Sequence, residues 1–214
     1  MLLLFDLDGT LTDSRAGIVR SFEHALRRMG HACADLPLLV CIGPPLPVAF
    51  QTLLGTDDPA LIEQAISVYR ERFERIGMFE NALFPGVAEA LTVLQGQGHR
   101  MRLVTAKPQP YARTILQHFG IDTFFEGVHG PSLEDRTHNK VTLLASALHG
   151  HASTDAVMIG DRAEDVHAAY VNGIFSIAVG WGYGSEAELA DATPTYCAQT
   201  MDDILRWVEM RAAS

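Results

Sequence analysis

The sequence is short of the features that would place a chain outside the ordinary folded class. Of its 214 residues three are cysteine, Cys33, Cys41 and Cys197, and no two form a Cys-x-x-Cys pair. That excludes a disulfide framework as the source of stability and points to a reducing, cytoplasmic setting. No apolar run reaches the ~18 residues of a membrane span. The apolar start, Met1 to Phe5, is interrupted at once by Asp6 and Asp8 and carries no basic residue, so it does not read as a signal peptide. Cations are outnumbered: 16 Lys and Arg face 26 Asp and Glu, for a net charge of -10. A nucleic-acid grip needs clustered cations and is excluded on that balance. An anionic substrate is not, because a bound metal can reverse the local field. The nine histidines include no His-x-x-x-His or His-Glu-x-x-His pair, so no zinc site is expected. Internal repeats and low-complexity tracts are missing as well.

What is present is globular in composition, with 48% hydrophobic and 20% charged residues. Four short apolar runs read as buried strands: Leu2 to Leu7, Met101 to Thr105, Val157 to Gly160 and Ile174 to Val179. A fifth, weaker one covers Thr195 to Ala198. Such runs alternating with helical patterns predict an α/β fold built on a parallel sheet covered on both faces. Between Ser14 and Leu83 the strand signal disappears. Ile18, Phe22, Ala25, Leu26 and Met29 recur at helical spacing and Gly30 closes the run. Pro59 opens a second helix, whose stripe Ile62, Ala65, Ile66, Tyr69, Phe73 and Ile76 ends at Gly77. Between the two, Cys41 to Pro47 is expected to be a loop or turn. The expected organisation is a core domain of residues 1–14 and 84–214 interrupted by a helical domain of residues 15–83.

The chemistry lies at the predicted strand ends. Asp6 and Asp8 close the first strand, and in parallel sheets sites form outside the carboxyl ends of strands. A charged pair inside an apolar run has no cheap structural explanation, since buried unpaired carboxylates are costly. A second acidic pair, Asp161 and Asp165, follows the strand at Val157. Four carboxylates near one point would raise each other's pKa values. A divalent oxygen-seeking cation relieves that, and Mg2+ suits a few carboxylates, waters and phosphate oxygens. Lys107 and Lys140 can offset the remaining charge. Thr105, followed by Ala106 and Lys107, offers a hydroxyl and free backbone N–H groups to a phosphate oxygen.

Together these residues resemble the phosphatase branch of the haloacid dehalogenase superfamily. The signature Asp-x-Asp-Gly-Thr-Leu stands at Asp6 to Leu11, the strand-ending Thr at Thr105, the downstream Lys at Lys140, and Gly-Asp-x-x-x-Asp at Gly160, Asp161 and Asp165. Asp13-Ser14, Phe84-Pro85-Gly86 and Thr105 to Pro108 are similar to the phosphoglycolate-phosphatase-like group. The resemblance implies a Rossmann-like parallel sheet core with an inserted helical cap. It implies Asp6 as nucleophile, forming an aspartyl-phosphate, and Asp8 as general acid and then base. It implies Thr105, Lys140 and the backbone N–H groups near Leu7, Asp8 and Ala106 as holders of phosphoryl oxygens. Mg2+ would bind the Asp6 carboxylate, the Asp8 carbonyl and Asp161, with Asp165 orienting Lys140 or a metal-bound water. Gly43, Pro44, Lys107 and Arg162 are candidates for selecting the substrate.

Asp8 separates the branches, since the family's dehalogenases lack a second acid there. A phosphonatase would need a cap lysine, and no lysine occurs between Met1 and Arg100. The expected activity is hydrolysis of a small phosphorylated metabolite such as phosphoglycolate, a sugar phosphate, a nucleoside 5′-monophosphate or pyrophosphate. A phosphomutase and a non-catalytic phospho-sensing module are the alternatives. The expected state is a monomer or homodimer, without nucleic acid or membrane as partner. The segment Trp181 to Glu186 is expected at the mouth of the site, its aromatics touching a nucleoside or the cap, or else packing against the core.

Overall fold

The computed structural model describes residues 1–33, 38–135, 139–151 and 155–212. The chain divides into two compact units. One is α/β and comprises Met1–Asp13 and Leu83–Ser214; the other is helical and comprises Ser14–Ala82. Thr137 and His138, which precede the predicted helix at Lys140, lie outside the described residues.

The strands are β1 (Leu2–Phe5), the two-residue β2 (Thr12–Asp13) and β3 (Ala82–Leu83) at the two chain crossings, β4 (Arg100–Val104), β5 (Gly127–His129), β6 (Ala156–Gly160), β7 (Phe175–Val179) and β8 (Tyr196–Ala198). Six of them form one sheet in the order β5-β4-β1-β6-β7-β8, and every pair in it is parallel. Strand β1 sits inside the sheet with all four residues buried, as an apolar run without alternation requires. Phe5 is level with Leu103 of β4 and with Ile159 of β6. The carboxyl ends of these three strands therefore meet at one edge of the sheet. The chain order departs in opposite directions on the two sides of β1, which is where parallel α/β sheets open a crevice.

Among the described residues six helices cover the sheet or follow it: α4 (Val87–Gly96), α5 (Gln109–His118), α6 (Lys140–Ala147), α7 (Ala163–Val171), α8 (Glu186–Ala192) and α9 (Met201–Ala212). Leu2, Leu4, Val104 and Met158 pack with Leu144 and Ala147 of α6 and with Ala168 and Ala169 of α7. Lys140 is the first residue of α6, and the preceding Asn139 caps it by accepting a hydrogen bond from the Val141 N–H at 2.7 Å.

The helical unit contains α1 (Arg15–Arg28), α2 (Leu46–Leu54) and α3 (Pro59–Arg75). Its core is aromatic. Phe22 of α1 meets Phe50 of α2 with ring centroids 5.1 Å apart and Tyr69 of α3 at 4.8 Å. The expected loop over Cys41 to Pro47 is only partly a loop. Leu38–Cys41 is a short 3-10 turn, and α2 begins at Leu46 with Pro47 inside its first turn. A proline there removes an N–H that would have no partner within the helix, so it does not break it. Among the described residues no helix is long and apolar enough to cross a membrane.

Candidate active site

Strand β1 stops at Phe5, two residues earlier than its apolar run suggests. The Asp6 N–H still donates to the Ile159 carbonyl at 2.9 Å, and the backbone then turns. Both Asp6 and Asp8 therefore lie beyond the sheet edge. Gly9 makes the turn at a φ of +81°, a left-handed conformation that favours glycine. A Cβ on Gly9 would fall 2.2 Å from Oδ2 of Asp161, so the missing side chain also leaves room for that carboxylate.

Three carboxylates converge there. Asp6, Asp161 and Asp165 each present an oxygen, and these atoms lie within 4.8 Å of one another. All three residues are buried. One cation sits among them: Lys140 Nζ is 2.6 Å from Oδ2 of Asp6 and 2.6 Å from Oδ1 of Asp165. The Leu7 N–H donates to the other oxygen of Asp6 at 2.7 Å. Asp161 accepts from the Tyr183 N–H at 2.7 Å on Oδ2 and from the Thr10 hydroxyl at 3.2 Å on Oδ1. Asp165 lies in the first turn of α7 and accepts from the Arg162 N–H at 3.1 Å, which ties it to the helix start.

Three negative charges beside one positive charge in a buried place have an electrostatic cost. Burial, with Asp165 and Asp6 adding to it, pushes the Asp161 carboxyl up to about 7 against the pull of the Tyr183 N–H and Lys140. Burial and the nearby Asp6 also raise Asp165, although Lys140 opposes the rise. Burial would discharge Lys140, yet Asp165 and Asp6 overcome it and hold the ammonium charged above its ordinary range. The donor set is oxygen only, net negative and compact. It therefore fits a hard divalent cation and does not fit a thiolate- or imidazole-seeking one.

Asp8 is held apart from this cluster. Its Oδ2 meets Lys107 Nζ at 2.8 Å. Its Oδ1 is buried and has no hydrogen-bond partner among the described residues, which calls for an explanation in a folded protein. Thr105, just past β4, is buried, and its hydroxyl oxygen accepts from the Lys107 N–H at 3.2 Å. The hydroxyl proton thus remains to be donated elsewhere.

The structure brings Asp6, Asp161, Asp165 and Lys140 together and pairs Lys107 with Asp8. Arg162 caps α7, and its guanidinium is held by Glu188 at 2.8 Å. Gly43 and Pro44 lie in the bend between the 3-10 turn and α2 of the helical unit. Two contributors went unread in the sequence. The Thr10 hydroxyl and the Tyr183 N–H fix Asp161, and the glycines either side of Tyr183 were the available signal. Trp181 packs against Phe84, ring centroids 6.4 Å apart, and its indole N–H donates to the Thr10 carbonyl at 3.1 Å.

Comparison with known proteins places this geometry among relatives. The family model for haloacid dehalogenase-like hydrolases matches residues 3–179. A 5′-nucleotidase of Pseudomonas aeruginosa is 44% identical over 200 residues, covering 92% of this chain and 90% of that protein. Tyrosine-protein kinase PtkA of Mycobacterium tuberculosis is 40% identical over 209 residues, covering 95% of this chain and 70% of that protein. A predicted phosphatase from Clostridium acetobutylicum superposes with a TM-score of 0.90 at 35% identity, covering 98% of each chain.

Proposed function

Because this chain belongs to the haloacid dehalogenase-like hydrolase family, we propose that it hydrolyses a small phosphomonoester through a phosphorylated Asp6. The observation that carries the reading is the convergence of Asp6, Asp161 and Asp165 around Lys140. Asp6 is oriented by the Leu7 N–H and Lys140, one on each oxygen. Its carboxylate attacks phosphorus, and the alcohol of the substrate leaves. Lys140 and the Thr105 hydroxyl are suited to hold the phosphoryl oxygens, with the Asp8 and Ala106 N–H groups beside them; the Leu7 N–H, expected to share that task, is taken by Asp6. Mg2+ at the Asp6 carboxylate, the Asp8 carbonyl and Asp161 would neutralise charge on those oxygens. Asp165 positions Lys140 at 2.6 Å.

Asp8 supplies the proton that the departing alcohol requires and then takes one from the water that attacks the acyl phosphate. Its unpartnered Oδ1 is the oxygen suited to that exchange. Lys107, on the other oxygen, keeps the side chain in place between the two steps. The name of the pseudomonad relative makes a nucleoside 5′-monophosphate the first substrate to test, with phosphoglycolate beside it. The mycobacterial relative's name adds a second reading, in which a tyrosine hydroxyl replaces water as the acceptor of the phosphoryl group.

Phosphate release from nucleoside monophosphates, phosphoglycolate, sugar phosphates and pyrophosphate, with Mg2+ or with EDTA, tests the proposal. Metal-dependent release that is lost in Asp6→Asn is the expected result. Release that persists in Asp6→Asn would remove Asp6 as nucleophile. Loss of substrate phosphate without free phosphate would favour transfer to another acceptor.

A further inference from the structure

The segment after β7 does more than cover the site. We infer that Tyr183 is a positioning residue that ties the Asp161 carboxylate to Asp13, the last residue of the α/β unit before the chain enters the helical unit. The Tyr183 N–H donates to Oδ2 of Asp161 at 2.7 Å, and its phenol donates to Oδ1 of Asp13 at 3.1 Å. One residue therefore holds both ends of this link. The neighbouring Trp181 anchors the same segment a second time, through its indole N–H and the Thr10 carbonyl at 3.1 Å. Thr10 in turn holds the other Asp161 oxygen. The backbone lies flat against the carboxylate: a Cβ on Gly182 would sit 2.2 Å from the Cβ of Asp161. No side chain fits between the segment and the aspartate, so a shift of the segment moves the carboxylate's hydrogen-bond donor.

Both oxygens of Asp161 are thus held from segments joined to each other at Thr10 and at Asp13. Groups that orient a metal-holding carboxylate from outside typically change metal affinity by about 10–100-fold when removed. The phenol of Tyr183 acts on Asp161 through its own backbone. The inference rests on the proposal that Asp161 holds the cation.

The test is Mg2+ binding to the full chain, read by calorimetry and by tryptophan emission. Trp207→Phe serves as background, because the chain has two tryptophans and Trp181 then reports alone. Tyr183→Phe removes the phenol and keeps the backbone. It is expected to weaken Mg2+ about tenfold, and the Mg2+ concentration that half-saturates turnover should rise by the same factor. A Tyr183→Phe protein with the wild-type Mg2+ constant would overturn the inference, whether or not its melting temperature falls. Asp161→Asn is expected to lose the Mg2+ response. A wild-type protein with no Mg2+ response by either readout would overturn the assignment of Asp161, and this inference with it.

Discussion

A carboxylate buried beside two others keeps its proton until something positive takes the proton's place. Asp161 is placed that way, with its pKa raised by burial, Asp165 and Asp6 to about 7 from an ordinary 3.8. The consequence for stability has a definite sign. At low pH Asp161 is protonated both folded and unfolded. As pH rises from 3.8 towards about 7 the unfolded chain has lost the proton that the folded one retains, so stability falls across that window. Above it the cost is fully present. A cation bound to the ionised carboxylate offsets that cost. The gain in melting temperature on adding Mg2+ should therefore be larger near about pH 8 than near about pH 5. Equal gains at both would contradict the ionisation assigned to Asp161. At this scale the sequence was informative where a residue sits at the end of an apolar run, as Asp6, Thr105 and Asp161 do. It was silent on pairings made by side-chain reach. The Lys107 ammonium meets Asp8 from 99 positions further along the chain, and no local pattern encodes such a meeting.

Elements became legible in proportion to how fully they are buried. Strands β1, β4, β6 and β7 lie inside the sheet and show as mainly apolar runs, interrupted only by arginine in β4 and by Ser176 in β7, and are predicted to within a few residues of their ends. The edge strand β5 has three residues, one of them a glycine, and offers no such run. Helix α2 was hidden by Pro45 and Pro47, which read as a loop although both stand where a helix start tolerates them. Its Phe50 completes the aromatic core with Phe22 and Tyr69. Phe22 is fully buried, so Phe22→Ala leaves a cavity and should destabilise the protein by about 3–5 kcal/mol. Urea unfolding measures this directly. A loss below about 1 kcal/mol would mean that α1, α2 and α3 do not share one core.

For the molecule as a whole, a net charge of -10 opposes an anionic substrate only if charge is averaged. Exposed charges are screened over about 8–10 Å at ordinary ionic strength, whereas the two lysines at the sheet edge are buried among the groups they serve. Lys107 and Lys140, each in contact with a motif aspartate, set the local field. The parallel sheet brings them there, because β1, β4 and β6 end level with one another and α6 starts beside them. The measurement that bears most directly on this account is the intact mass of the protein, acid-quenched during turnover of an aryl phosphate with Mg2+. Asp8→Asn is the variant to use, since an aryl leaving group needs little help from an acid while breakdown of the acyl phosphate still needs a base. The account predicts a gain of one phosphoryl group in Asp8→Asn and none in the Asp6→Asn, Asp8→Asn double variant. A phosphoryl group that persists in the double variant, or turnover with no covalent species at all, would contradict it.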